Sequence, residues 1–278
     1  MHLPFTLCSP SMISRLAPLA VALALVSART DAATTTFSFV NGPWTNGATT
    51  QTNYLDGATS GSMTKDGVTL TFTSTLVGTA DAATRNLTYV PSANPTGFNF
   101  ATQDDANDLD GSLLHYQRFD FSFSQAVVLL NLGIDDIDSD KTDLEVGDGF
   151  RDAVAAEAFQ GQNFGPMGSG IDADFSENLG SSLELGTIAA GSGQTLNYVL
   201  SGPAGNPNNA PAYRAYLDFG TTPIQSFSIY VFSDRDNAHR VSLFQSMFQV
   251  EAVEVVPEPS SALLAFAALP LLARRKRK

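Results

Sequence analysis

The chain predicts an all-β fold, a two-sheet antiparallel β-sandwich of jelly-roll type. Three observations lead there. Short stretches rich in Phe, Leu, Ile, Val and Thr alternate apolar with polar residues, the period-two pattern of strands with one buried face. Gly-, Asn- and Pro-rich breaks punctuate them, residues that favour turns by their own chemistry. Neither a phosphate-binding glycine loop nor a repeat period is visible, which argues against nucleotide-binding α/β folds, solenoids and propellers. Nineteen phenylalanines are available to fill a core.

The elements follow in order. Phe37 and Phe39 alternate in a first strand, followed by a Gly/Thr/Asn-rich loop through Trp44 to Gly61. Val68 to Thr73 is a strand of β-branched and aromatic residues. Leu87–Val90 and Phe98–Phe100 are shorter candidates. Phe119, Phe121 and Phe123 mark one strand and Leu130, Leu132 and Ile134 the next, with Ser124-Gln125-Ala126 between them as a hairpin connection. Further strands are expected at Leu183–Leu185, Thr195–Leu200, Tyr213–Phe219, Ile224–Phe232 and Val241–Val255. Long polar breaks run over 161–182 and 202–211. Residues 153–159 carry helix formers, with Phe150, Val154 and Ala158 on one helical face, but they also alternate, and a strand is expected.

Both ends read as targeting segments. Arg15 precedes the apolar run 16–26, followed by Ser27-Ala28, the layout of a secretory signal over residues 1–33. Cleavage after Ala28 or after Ala33 suits a small-residue rule, and Met12 is a workable alternative start. Cys8 precedes the apolar core, so it is no lipid-attachment site, and it leaves with the leader. The mature chain then has no cysteine, which excludes disulfides, thiol catalysis and thiolate metal sites. At the other end, Pro257 and Pro259 stop any preceding strand. The apolar run Ala262 to Ala273 would span about 18 Å as a helix, short of a hydrocarbon core of roughly 30 Å. Arg274, Arg275, Lys276, Arg277 and Lys278 would hold that end on the cytoplasmic side.

The order Val256-Pro257-Glu258-Pro259, apolar run, basic tail resembles the PEP-CTERM sorting signal of Gram-negative bacteria. The resemblance covers residues 257–278, less than a tenth of the chain. It implies recognition by an exosortase, a membrane protease-transpeptidase, with transient insertion in the inner membrane. Delivery to the cell surface, outer envelope or extracellular matrix would follow, in bacteria that make exopolysaccharide and biofilm. The strand expected at 153–159 also rests on a likeness to β-sandwich bodies that carry such tails.

The body, residues 34–256, has 26 acids against 8 bases, a net charge of −18. That field repels nucleic acid and anionic lipid and attracts divalent cations, while also serving solubility. The acids concentrate in Asp135 to Gly149. Asp136-x-Asp138-x-Asp140 opens like an EF-hand loop, but Lys141 stands where glycine is required and Gly147 where the bidentate glutamate belongs. An EF-hand is therefore excluded. A calcium site at a sandwich edge is expected to use Asp136, Asp138 and Asp152, with Asp140, Asp143 and Asp148 as further candidates. A solvated acidic loop remains the competing reading. Asp104 to Gly111 and Asp234-Arg235-Asp236-Asn237 read more cheaply as turns, the latter as a hairpin turn.

Enzymatic chemistry finds little support. His115 and His239 are the only histidines of the body, no Gly-x-Ser-x-Gly elbow occurs, and no local motif selects a carboxylate pair. Trp44, Tyr54, Tyr89, Tyr213, Tyr216 and Tyr230 could display aromatic faces to a sugar. The expected function is that of an exported, non-enzymatic envelope or matrix protein. The alternative is a calcium-dependent glycan-binding module.

Overall fold

The computed structural model describes residues 33–39, 44–46, 49–51, 60–78, 88–90, 97–102, 115–139, 151–176, 182–190, 193–202, 211–233 and 239–253. The residues expected to direct export and sorting, 1–32 and 256–278, lie outside them. So do Asp140, Asp143, Asp148 and the clusters at 104–111 and 234–237. The described residues form an all-β, antiparallel structure in the unit that begins at Thr34. Its strands are β1 (Thr34–Ser38), β2 (Trp44–Asn46), β3 (Thr49–Gln51), β4 (Ser60–Lys65), β5 (Val68–Val77), β6 (Thr88–Val90), β7 (Gly97–Thr102), β8 (Tyr116–Asp135) and β9 (Asp152–Phe159). They continue with β10 (Ile171–Asp172), β11 (Asp174–Ser176), β12 (Leu183–Ala190), β13 (Gln194–Ser201), β14 (Ala215–Asp218), β15 (Ile224–Ser233), β16 (His239–Leu243) and β17 (Met247–Ala252). Short 3-10 turns occur at Pro211–Tyr213 and Phe244–Ser246.

β8 organises the sheet. Its first half lies between β5 and β15, and the ladder continues outward through β4 on one side and through β9, β13 and β12 on the other. Beyond Val127 it pairs with β17, which in turn carries β1. Its last residues, Leu132 to Asp135, run between β14 and β16, with β11 and β7 beyond them. One strand thus serves two hydrogen-bonded neighbourhoods.

This overturns the expected hairpin at Ser124-Gln125-Ala126, because all three residues lie inside β8. They include neither glycine nor asparagine to supply the positive φ of a tight turn. The stretch instead absorbs an offset: Val127 pairs with Ile224 and Ser122 with Ser226. A second irregularity puts Leu130 as the extra residue between Leu129–Val250 and Asn131–Gln249. The inward face switches there from odd to even positions, leaving Leu130 41% exposed while Leu129 and Leu132 are buried. True hairpin chemistry appears at Asp66-Gly67, whose φ values of 50° and 80° turn β4 into β5.

The hairpin turn expected at 234–237 lies outside the described residues; the strands on either side are not paired with each other, since both edges of β15 are taken by β8 and β9, and β16 pairs with β7 and β8. One further expectation is corrected. The single strand expected over Val241–Val255 is broken at Gln245 (φ 54°) into β16 and β17. The polar stretches at Trp44–Gly61 and 161–182 contain β2, β3, the start of β4, β10 and β11. Asp152–Phe159 is a strand whose eight residues are all buried.

The main core is phenylalanine-rich. Phe121 stacks on Phe227 at 4.7 Å and meets Phe39, Phe72 and Phe248 at about 6 Å. Each such ring contributes roughly 1.5–3 kcal/mol by leaving water. Val154, Ala156 and Ala158 of β9 face this cluster, while Ala153 and Ala155 face a second one with Tyr116, Leu200, Tyr230 and Phe232. β9 is therefore covered on both faces, which is why small apolar residues fill both sets of its alternating positions.

Candidate functional site

Three of the expected acidic ligands meet where β8 ends and β9 begins. Asp135 closes β8, and its two carboxylate oxygens accept from Arg214 Nε at 2.5 Å and Nη2 at 3.2 Å. Asp136 follows in the left-handed region (φ 67°), which aspartate tolerates better than most side chains. The chain bends there. Ile137 N–H then donates to Tyr213 O at 3.1 Å, and Asp138 O accepts from Asp152 N–H at 2.9 Å. Ser139 bridges Arg151, so the loop's two ends are held side by side although residues 140–150 separate them.

Asp135, Asp136, Asp138 and Asp152 are all buried, Asp152 completely. The Asp138 N–H donates to Asp152 Oδ2 at 3.4 Å, a long contact. Asp152 Oδ1 has no hydrogen-bond partner among the described residues. Burial first, then the charges of Asp138 and Asp136, pushes the Asp152 carboxyl well above the usual carboxylate range. A carboxyl so placed holds a proton or faces a cation. Among the described residues no group of three or more His, Cys, Asp or Glu side chains is gathered tightly enough to hold a metal ion. Asp136, Asp138 and Asp152 are thus neighbours, and the described part of the junction does not by itself make a closed ligand cage.

Several residues at and near the junction carry no sequence signal of their own. Arg214 both pairs with Asp135 and lies over the Phe244 ring, 3.6 Å from its centroid. Its one sequence cue is that cations are scarce in an acidic body. On the outer face of β9, Glu157 is fully buried, accepting from Tyr230 Oη (2.5 Å) and from the N–H groups of Gly168 (3.2 Å) and Gly170 (2.8 Å). Arg118 lies over Tyr230 and Phe164 and pairs with Asp120 at 2.6 Å. This network ties the 160–170 segment down on the sheet. It also removes Tyr230 from the aromatics available to a ligand. Trp44 and Tyr89 lie in β2 and β6, Tyr54 lies outside the described residues, and Tyr213 and Tyr216 are half-buried. His239 opens β16 opposite Thr102, and His115 immediately precedes β8.

No family model matches the chain, and neither a curated protein nor a solved structure is significantly similar to it.

Proposed function

We propose that the chain is an exported, non-enzymatic protein of the envelope or extracellular matrix, with a β-sandwich body that holds calcium where β8 passes to β9. The observation that carries the calcium reading is Asp152: a fully buried carboxyl with one oxygen unpartnered among the described residues, nearest in charge to Asp138 and Asp136. Calcium takes six to eight oxygens at about 2.3–2.6 Å in adaptable geometry, so it suits carboxylates gathered from two chain segments. In this reading Asp136, Asp138 and Asp152 would draw together on a cation to supply the first oxygens, with Asp140, Asp143 and Asp148 as the further candidates. The sandwich reading is supported by β8, which joins two hydrogen-bonded neighbourhoods over one phenylalanine core.

Export and sorting rest on the resemblance of residues 257–278 to a PEP-CTERM signal. In this reading an exosortase-type enzyme processes the tail at the inner membrane, and the body is released toward an exopolysaccharide matrix. The charge of the body, −18 over residues 34–256, fits a protein that recruits divalent cations and avoids nucleic acid.

Calorimetric titration tests the metal. The full chain stripped with chelator should bind calcium, and Asp136→Asn/Asp138→Asn should abolish the heat. A chain that takes up no calcium means that Asp152 is held by a proton instead, and the reading fails.

A further inference from the structure

We infer that the groove beside the Phe244–Ser246 turn is a subsite for one neutral sugar ring. The groove is about 250 Å³, just below the usual range of ligand pockets and so room for a single ring. Tyr216 and Phe244 form an aromatic corner in it, edge to face at 6.0 Å and 83°. Asn131, Gln245 and Gln249 line the same space. Their carboxamides each present donors and an acceptor, the pairing that adjacent hydroxyls satisfy. Asn131 Nδ2 already donates to Gln249 Oε1 at 2.9 Å, and Gln249 Nε2 to Thr36 Oγ1 at 3.2 Å, so these two amides are oriented in advance.

Local backbone features create the space. The left-handed Gln245 breaks what would be a continuous strand, and the break sets Phe244 against Tyr216. Gly133 lies beneath the rings: a Cβ there would meet Phe244 Cβ at 2.9 Å and Tyr216 Cε1 at 3.1 Å. Any larger residue would spread the corner. Arg214 covers Phe244, but both its Nε and Nη2 are engaged by Asp135, which offsets its charge.

The chemistry selects the ligand. Aromatic faces pack against the C–H face of a pyranose, while amides read its hydroxyls. An acidic sugar finds no uncompensated cation among the lining residues and meets the repulsion of an acidic body. A neutral hexose unit within a longer chain fits best. The inference rests on the groove alone and not on the calcium reading.

The test is a titration of the full chain, in chelator, with neutral oligosaccharides of glucose, mannose and galactose and with an oligogalacturonate, read by saturation-transfer NMR and calorimetry. Working in chelator separates failure of the groove from failure of the calcium site. At least one neutral oligosaccharide should bind with millimolar affinity or better, and the oligogalacturonate should not. Phe244→Ala should weaken binding at least tenfold. Gln245→Gly deletes the amide while suiting the positive φ, so the fold is preserved, and it should also weaken binding. Absence of binding by all three neutral sugars overturns the proposal. So does binding that both variants leave unchanged, or a preference for the uronate.

Discussion

Ionising a carboxyl away from water costs several kcal/mol unless a partner charge or donors compensate, and Asp152 has a long contact from the Asp138 N–H and an oxygen that is unpartnered among the described residues. Glu157 shows the opposite solution, equally buried but accepting from Tyr230 and two backbone N–H groups. The acidic run made Asp136 and Asp138 legible, because six aspartates crowd 14 positions from Asp135 to Asp148, and Asp152 was picked out by its place at the start of the next expected strand. Arg214 and Glu157 were not legible, since nothing local in sequence separates a buried charge from a surface one. Asp172 offers a pH test away from the junction. Burial, then the charges of Glu157 and Asp174, raises its carboxyl, with a backbone hydrogen bond at Asn197 acting the other way. In the window above the ordinary carboxylate value and below the raised one, the folded state holds more protons than the unfolded. This group's contribution to stability therefore falls as pH rises through that window. Asp172→Asn should accordingly stabilise the protein at pH 7 relative to the native chain and much less at pH 3.5, as read by urea midpoints. An equal effect at both pH values would mean that charge is not the cause.

At the scale of elements, β8 is where sequence pattern and structure diverge. Period-two alternation located its two halves, since Phe119, Phe121, Phe123, Leu132 and Ile134 are all buried, but it put Leu130 on the inward face, where it is not. It could not show that the halves are one strand, since a bulge changes the inward phase without any marker residue. Likewise the polar strands β2, β3, β10 and β11 are too short and too poor in β-branched apolar residues to stand out from loops. The bulge makes a sharp prediction. Leu130→Ala should change stability by no more than about 0.5 kcal/mol, as for an ordinary surface position. Leu132→Ala, two residues on, should cost about 2–5 kcal/mol through the cavity it leaves. Equal and large losses in chemical denaturation would restore the hairpin register, in which Leu130 and Leu132 share the buried face.

For the molecule as a whole, residues 34–256 form an acidic all-β body that lacks cysteine and is built on a phenylalanine core. If residues 257–278 sort the protein, material recovered outside the inner membrane of its host should lack Ala262 to Lys278 by intact mass, and retention of Lys278 would rule sorting out. The body's charge and its acidic junction meet in one measurement, thermal unfolding of the full chain with and without calcium. A cation that binds only the folded state adds about 2.7 kcal/mol at a hundredfold excess over Kd. For a domain of this size that raises Tm by the order of 5 °C. Magnesium should do less, because it demands a tight octahedron and gives up water reluctantly. Asp152→Asn should lose the calcium effect while the metal-free protein melts no lower than the native chain, since the cost of keeping that buried carboxyl protonated near neutral pH is gone. If millimolar calcium moves the native melt no further than sodium at matched ionic strength, the junction holds no calcium.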